Sequence, residues 1–187
     1  MSDYRRDFIA GGTYFFTVVT YRRRRFLTTD LARECLRVAM ETTRAQHRFE
    51  MHAVVLLPDH LHALWSLPRG DSDYSTRWRR IKQRFTQSYL AQGGREGPLS
   101  ASRRKRRERG VWQRRFWEHL VADENDFERH FDYIHYNPVK NRLADCPREW
   151  PYSTFSRWSA AGVYGTHWGC RSHGALDFSD LEETALE

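Results

Sequence analysis

The alternation of strand-like and helix-like segments limits the possible architectures of this chain more than any other feature. Runs of aromatic and β-branched residues predict strands, because such side chains fit a pleated sheet. Gly11-Gly12 marks a turn before the first run, and Pro58-Asp59 separates the second from the third. The predicted strands cover residues 13–20, 49–57, 60–67 and 112–121. The intervals between them are long enough for helices.

Helical patterns occupy those intervals and also follow the last strand. Apolar residues that recur every three or four positions indicate the buried face of a helix. Thr29 has the side chain of an N-cap for the first helix, and Pro138 marks the end of the last helix or a distortion in it. The predicted helices cover residues 30–47, 75–89 and 123–136.

The resulting order is strand, helix, strand, strand, helix, strand, helix. This order predicts an α+β fold with a ferredoxin-like (RRM-like) core, in which helices pack on an antiparallel sheet of four to five strands. We expect the first and last strands of this core to pair in the middle of the sheet. Sequence periodicity defines the ends of these elements only to within a few residues.

The length of the chain favours one domain with a short extension. A chain of 187 residues can bury one substantial hydrophobic core. We assign residues 1–160 to this domain and residues 161–187 to a C-terminal tail, whose acidic end from Asp177 onward we expect to be loose. Residues 92–110 are rich in Gly, Ser and Arg and predict a flexible basic insertion.

The balance of charge and aromatic residues favours a nucleic-acid partner. The chain has 31 Lys and Arg against 24 Asp and Glu, which gives a formal charge of +7, and 14% of its residues are aromatic. Cationic side chains neutralise backbone phosphates, and aromatic rings stack on unpaired bases.

Other classes of protein are disfavoured by motifs that the sequence lacks. No apolar run is long enough to span a membrane, and no signal-like run follows the first residues. The cysteines Cys35, Cys146 and Cys170 are widely spaced, so we expect reduced thiols rather than a disulfide framework or a zinc ribbon. Glycine-rich phosphate-binding motifs are missing, which argues against a nucleotide cofactor. We therefore expect a cytoplasmic protein.

His60 and His62 are candidate metal ligands. Residues i and i+2 of a strand point to the same face, so the two imidazoles would project together beside the apolar run 53–57. Imidazoles combined with carboxylate or amide oxygens make an open site for a divalent cation. The alternative is a pair of ordinary histidines, one of which satisfies a buried polar contact.

Tyr133 and Asn137 are the second candidate pair. Because they lie four residues apart, a helix would place them on one face. A tyrosine hydroxyl can act as a covalent nucleophile when a cation activates it, and an amide oxygen could complete a two-histidine metal site. The alternative is that Tyr133 and Tyr136 pack under the C-terminal segment while Asn137 forms a turn before Pro138.

Four motifs in series carry a resemblance to a known family. They read LLPDHLHALW at residues 56–65, FWEH at 116–119, DYIHYNPVK at 132–140 and WPYSTF at 150–155. In this order they resemble the REP-associated tyrosine transposases, which are related to the insertion sequence 200-like, single-tyrosine HUH transposases. The segments YRR at 4–6 and GGTYFFTV at 11–18 fit the same pattern, so the resemblance spans about residues 4–158.

The resemblance implies the HUH endonuclease fold and a specific set of roles. His60 and His62 would bind a divalent metal, Mg²⁺ or Mn²⁺, and Asn137 would be the third ligand. Tyr133 would be the catalytic nucleophile. The implied activity is that of a site-specific endonuclease and strand transferase, which binds single-stranded DNA hairpins of the REP type and cleaves and rejoins DNA through a 5′-phosphotyrosine. We expect a nucleoid-associated bacterial protein that acts as a monomer, with a dimer as the alternative.

Basic residues are the candidate contacts to the DNA backbone. Arginine is favoured over lysine in this chain, and a guanidinium can bind two phosphate oxygens at once. The alternative for each basic run is a solvated face. The predicted nucleic-acid contacts are Arg5, Arg6, Arg22, Arg23, Arg24, Arg25, Arg77, Arg80, Arg84, Arg114, Arg115 and Lys140.

A non-cleaving protein of the same fold is the main alternative function. Such a protein would bind DNA or RNA hairpins as a regulator. The presence of His60, His62, Tyr133 and Asn137 together favours the enzyme, since a protein that only binds would be free to lose any of them.

Overall fold

The sheet has four antiparallel strands. The computed structural model describes residues 8–182. Its strands are Thr13–Val19 (β1), Glu50–Leu56 (β2), His60–Ser66 (β3) and Trp117–Leu120 (β4), in the spatial order β2-β3-β1-β4. All neighbouring pairs are antiparallel. The predicted α+β, ferredoxin-like architecture is therefore confirmed.

One prediction about the sheet is wrong. β1 and β4 do pair, but β4 lies at the edge, and the middle of the sheet is formed by β1 and β3. β3 pairs with all seven residues of β1, from Thr13 to Val19, whereas β4 pairs with only four. β4 is short because the chain before it, from Trp112, forms only an isolated bridge with Thr20.

Three long helices pack against this sheet: Asp30–Gln46 (α1), Tyr74–Ala91 (α2) and Glu124–Lys140 (α4). Three short helices are Ala101–Lys105 (α3), Phe155–Ala160 (α5) and Ser179–Glu182 (α6). The Thr29 hydroxyl accepts a hydrogen bond from the Ala32 amide, which confirms the predicted N-cap of α1. α1 and α2 contact each other, whereas α4 contacts β2 and β3.

The last long helix continues past Pro138, so the prediction of an end near residue 136 is wrong. α4 ends at Lys140, and Arg142 takes a left-handed conformation with φ 56°. The amides of Arg142 and Leu143 donate to the carbonyls of Val139 and Pro138, which satisfies the last turn of the helix. This capping keeps the segment from Tyr133 to Lys140 helical.

Alternation along the central strands divides the apolar side chains between two cores. Tyr14 and Phe16 from β1 and Trp65 from β3 point to one face, where they pack with α1 and α2. Phe15 and Leu64 point to the opposite face and pack with α4 and the C-terminal segment. Each face of the sheet is thus covered by helices and a hydrophobic core.

The predicted basic insertion, residues 92–110, contains a buried anchor. Arg103 is buried, and its guanidinium donates to the carbonyls of Arg109 and Trp112 at 2.8 and 3.1 Å. Glu96 forms an ion pair with Arg109 at 2.8 Å. These contacts attach the segment to the end of the sheet, which its composition does not reveal.

The C-terminal segment packs on α4. Tyr164 and Phe178 are buried, and the Phe178 ring lies 5.7 Å from the rings of both Tyr133 and Tyr136. The expectation of a loose acidic end is therefore wrong as far as Leu181, because apolar residues spaced along this segment bury against the helix.

The expectation that all cysteines are reduced thiols is also wrong. Cys146 and Cys170 form a disulfide across 24 positions of sequence. The amide of Arg171 donates to the carbonyl of Asp145 at 2.9 Å, which brings the two turns together. Only Cys35 is free among the described residues, and it is buried on α1.

Within residues 8–182, no helix combines the length and the apolar character that crossing a bilayer requires.

A buried hydrogen-bonded histidine joins α4 to the C-terminal segment. His135 contacts the Tyr164 hydroxyl through Nδ1 at 2.9 Å and the Thr154 hydroxyl through Nε2 at 2.8 Å. The Tyr164 hydroxyl donates to Asp132 at 2.7 Å. Burial lowers the pKa of His135 from 6.5 to about 3. The neutral imidazole is therefore the form that fits this network.

This pKa shift predicts a loss of stability in mild acid. Between pH 6.5 and about 3, the unfolded chain takes up a proton at His135 that the folded chain does not, so the free energy of unfolding falls as the pH falls. The contribution is up to about 1.4 kcal/mol per pH unit. In urea denaturation, a His135→Gln variant should lose about 2–3 kcal/mol less than the wild type between pH 6.5 and 4.5. His173→Gln, at an exposed position, is the control. Equal pH slopes for the wild type and His135→Gln would contradict the assignment.

Candidate active site

The two histidines of β3 lie together on the face that α4 covers. His60 and His62 have ring centroids 4.9 Å apart. Leu61, between them, points into the opposite core with α1 and α2. The structure thus brings the predicted pair together on one face, as the two-residue period of a strand requires.

A hydrogen bond holds the Nδ1 atom of each imidazole. His60 Nδ1 lies 2.7 Å from an Asp59 carboxylate oxygen, and His62 Nδ1 lies 2.9 Å from the Thr17 hydroxyl. When Nδ1 donates a hydrogen bond, the lone pair of a neutral imidazole is on Nε2. Both rings can therefore offer Nε2 to a common cation, with their orientation fixed by the carboxylate and the hydroxyl.

Burial also favours the ligating form of the inner ring. His62 is almost completely buried, and desolvation, followed by the nearby His60 and Lys140, holds its pKa well below the ordinary value of 6.5. A neutral imidazole is the form that binds a metal. Burial works to raise the pKa of Asp59, but its hydrogen bond to His60 and its pairing with Arg23 outweigh burial and lower that pKa.

Tyr133 projects from α4 toward the histidine pair. Its ring centroid lies 5.4 Å from that of His62, and the Lys140 ammonium donates to its hydroxyl at 3.2 Å. Tyr133 and Lys140 are seven positions apart, so they lie on the same face of α4, two turns from each other. Tyr133 is 6% exposed, and its ring also contacts Phe178. A cation therefore contacts the Tyr133 hydroxyl, and an imidazole packs against the Tyr133 ring.

Phe15 of β1 is the apolar centre of this arrangement. Its ring centroid lies 5.3 Å from His62, 5.9 Å from Tyr133 and 4.7 Å from His130. Because Phe15 is itself 2% exposed, it fixes the spacing between β3 and α4. Packed interiors tolerate little change in volume, so the separation of the phenol from the imidazole is set by this ring.

Asn137 lies one turn after Tyr133 and is 1% exposed. Its Oδ1 accepts a hydrogen bond from Asn141 at 2.6 Å, while its Nδ2 is buried without a hydrogen-bond partner among residues 8–182. An amide oxygen has two lone pairs, so Oδ1 can accept from Asn141 and still bind a cation. Two imidazole nitrogens and an amide oxygen fit a cation such as Mn²⁺ better than Mg²⁺, which prefers oxygen ligands.

The four-arginine run lies beside the histidines. The pairing of Val19 with His60 places the end of β1 next to the metal-ligand candidates, and Arg22–Arg25 follow directly. Arg23 lies 3.4 Å from Asp59, and Arg24 donates to the carbonyl of Arg95. Arg22, Arg23 and Arg25 are exposed, so cationic groups surround this end of the sheet. Arg5 and Arg6 lie outside the described residues.

Arg77 is not a DNA contact, which corrects its prediction. It is 2% exposed, forms an ion pair with Asp71 at 2.6 Å and donates to the carbonyls of Arg48 and Asp73. A buried guanidinium satisfies its five donors inside the protein and cannot reach a phosphate. Helical periodicity alone did not reveal this, because the partners belong to loops.

The remaining predicted contacts are exposed or half-buried. Arg80 and Arg84 are half-buried on α2, and Arg84 donates to the side chain of Gln46. Arg114 is exposed and forms an ion pair with Glu108 at 2.7 Å, while Arg115 is exposed beside it. These residues stay predictions for phosphate contacts.

Sequence reasoning missed the groups that hold the site in place. Thr17 lies opposite His62 in the β1–β3 register. No local sequence pattern predicts this pairing, because the two strands are far apart in the chain. Asp59 directly precedes His60, so the sequence shows a carboxylate beside this histidine but does not show that it orients the imidazole ring. His130 precedes Tyr133 by three positions, and this spacing could have placed it on the same helix face.

The hydrogen bond from His60 to Asp59 yields a prediction for metal affinity. Removing a carboxylate that orients a ligating imidazole typically weakens metal binding about 10- to 100-fold. Asp59→Ala should therefore weaken Mn²⁺ binding by this factor in isothermal titration, and Asp59→Asn, which keeps an acceptor oxygen, should weaken it less. Asp30→Ala, at an exposed position on α1, should bind Mn²⁺ like the wild type. If Asp59→Ala bound Mn²⁺ as tightly as the wild type, Asp59 would have no part in metal binding.

Comparisons with known proteins identify the family. The family model described as "Transposase IS200 like" matches residues 10–137. A REP-associated tyrosine transposase of Haemophilus influenzae is 44% identical over 169 residues, covering 90% of this chain and 94% of the relative. The Escherichia coli REP-associated tyrosine transposase is 41% identical over 169 residues, covering 90% and 91%.

A solved structure supports the same assignment. It is described as the REP-associated tyrosine transposase bound to a REP hairpin, and it matches with a TM-score of 0.76 and 41% identity over 96% of both chains. The extent and level of these matches place the chain in the IS200-like transposase family, among the REP-associated tyrosine transposases.

Proposed function

We propose that this protein is a metal-dependent single-strand DNA endonuclease and strand transferase, which binds REP-type hairpins and cleaves and rejoins DNA through a 5′-phosphotyrosine at Tyr133. One observation carries the proposal: the Tyr133 ring lies 5.4 Å from His62, and its hydroxyl accepts a hydrogen bond from Lys140. A phenol that only packed in the core would not need a cation beside its oxygen. The hairpin in the structure of the 41% identical relative supports the proposed substrate.

Metal binding in this proposal uses His60, His62 and Asn137. When bound, Mn²⁺ or Mg²⁺ supplies Lewis-acid polarisation of a phosphate oxygen and neutralises its charge. The chain contributes the orientation of both imidazoles through Asp59 and Thr17. The mixed nitrogen and oxygen donors favour Mn²⁺.

Tyr133 carries the covalent step. Its hydroxyl oxygen attacks the phosphorus in line with the leaving 3′ oxygen, so that one P–O bond forms as the P–O3′ bond breaks. The phenolic proton is released to solvent, and the 3′ oxygen takes up a proton and leaves as a hydroxyl. The resulting phosphotyrosine retains the phosphodiester, so a 3′-hydroxyl can reverse the step and rejoin strands without a nucleotide cofactor.

Lys140 has a role in this step that goes beyond DNA binding. Its ammonium lies 3.2 Å from the Tyr133 oxygen and 4.8 Å from the centre of the ring. A cation in this position stabilises negative charge that develops on the phenolic oxygen, and a buried setting strengthens this effect. The sequence analysis predicted Lys140 only as a contact to the DNA backbone.

The proposed partner also suggests where the protein acts and how. Exposed arginines at the end of β1 lie beside the histidine pair, where they can bind the phosphates that flank a cleavage site. Because all proposed catalytic groups lie within one chain, a monomer suffices. We infer association with chromosomal DNA in a bacterial cell.

Replacement of the nucleophile tests the proposal directly. With a labelled hairpin oligonucleotide and Mn²⁺, the wild type should give a protein–DNA adduct that survives denaturing electrophoresis. Tyr133→Phe should bind the hairpin and give no adduct, because the ring remains while the attacking oxygen is lost.

Tyr136 provides the matched control. It is buried on the same helix, and its hydroxyl accepts a hydrogen bond from the amide of Leu176 at 3.4 Å. Tyr136→Phe should retain the adduct. If Tyr133→Phe still formed the adduct and Tyr136→Phe did not, the nucleophile would be Tyr136. Binding without an adduct by the wild type would favour the non-cleaving hairpin protein.

Substitution of Lys140 separates charge from binding. A lost charge-assisted hydrogen bond costs about 1.5–3 kcal/mol, so Lys140→Met should slow adduct formation about 10- to 100-fold at saturating hairpin. Lys140→Arg, which keeps the charge, should recover part of the rate. Rates and hairpin affinities are measured in single-turnover and filter-binding assays. An effect of Lys140→Met on affinity alone would leave Lys140 as a phosphate contact only.

A further inference from the structure

A second group of potential metal ligands lies outside the site described above. His119 at the end of β4, Asp126 in the first turn of α4 and His130 one turn later converge, with ligand atoms all within 4.8 Å of one another. Only Val121–Asp123 separates β4 from α4, so this short connection brings the strand end against the helix start. The fold, and not sequence adjacency, assembles the cluster.

The contacts within the cluster centre on one carboxylate. His119 Nε2 lies 2.8 Å from one oxygen of Asp126, and His130 Nδ1 lies 2.8 Å from the other. The Asp126 backbone carbonyl is also 2.9 Å from His130 Nδ1, and the two imidazole rings stack at 4.5 Å. Two imidazole nitrogens therefore converge on the two oxygens of one carboxylate.

This donor set suits a borderline divalent cation. Two imidazoles and one carboxylate leave coordination positions open for water, as in many sites for Zn²⁺, Co²⁺ and Mn²⁺. Metal–ligand distances of about 2.0–2.2 Å place ligand atoms roughly 3 Å apart, and each imidazole nitrogen lies 2.8 Å from a carboxylate oxygen here. A cation would thus take the place of the two hydrogen bonds between the imidazoles and the carboxylate.

The cluster is partly protected from solvent. The side chains of His119, Asp126 and His130 are 31%, 19% and 3% exposed. Because His130 Nδ1 faces the carboxylate, a cation bound there would require the tautomer with its proton on Nε2, so that a neutral imidazole offers the Nδ1 lone pair.

We propose that His119, Asp126 and His130 form a second divalent-metal site, which fastens the first turn of α4 to the end of β4. Phe15 contacts both His130 and Tyr133, so a cation here would stabilise the part of α4 that precedes the proposed nucleophile. This inference does not depend on the proposed cleavage activity.

Co²⁺ is the probe for the test, because its visible absorption reports imidazole coordination and its titration gives a stoichiometry. The wild type should bind two ions. A His60→Ala/His62→Ala variant should bind one, and its melting temperature should still rise with Co²⁺. Adding His119→Gln to this variant should weaken the remaining binding at least tenfold and remove the shift in melting temperature.

His173→Gln in the same background is the matched control, because His173 and His167 also stack, at 4.9 Å, on the surface. This substitution should leave Co²⁺ binding unchanged. The proposal is overturned if the His60→Ala/His62→Ala variant binds no Co²⁺, if His119→Gln leaves its binding unaltered, or if His173→Gln abolishes it. Circular dichroism of each variant confirms that it is folded, and Asp126→Glu, which keeps a carboxylate, should retain part of the affinity.

Discussion

The packing of Phe15 between the sheet and α4 is the contact on which the candidate site depends. This ring touches His62 on the neighbouring strand and Tyr133 and His130 on the helix. The imidazole belongs to the rigid centre of the sheet and the phenol to a helix laid across it, so the packed ring sets their distance. In a close-packed interior, removal of such a ring would leave a cavity or allow the helix to shift.

The two faces of the sheet have different roles, because one holds a large aromatic core and the other holds the candidate site. One face of β1 and β3 buries large aromatic side chains against α1 and α2, which supplies a core independent of the site. The other face combines apolar residues with His62 and Asn137, both almost fully buried. Buried polar groups need partners, and Thr17 supplies one to His62 while Asn141 donates to the side-chain oxygen of Asn137. The site is therefore maintained by hydrogen bonds that the first core does not provide.

Much of this arrangement could be predicted from local patterns, because period-two and near-four spacings define a face without knowledge of the fold. They placed His60 with His62 and Tyr133 with Asn137. Features that depend on distant parts of the chain could not be predicted. The disulfide needs two turns to meet across 24 positions, and the burial of Arg77 needs a loop to fold back on α2. The continuation of α4 past Pro138 depends on capping by residues beyond it.

The short connection at Pro58-Asp59 has a further consequence. It fixes the register of β2 against β3, with Leu56 opposite Leu61. A shift of one residue in β3 would turn both imidazoles into the aromatic core with α1 and α2 and expose apolar side chains to α4. An insertion or deletion of one residue at this hairpin would thus move both candidate ligands to the other face of the sheet without changing either of them, so the candidate site depends on the length of this turn.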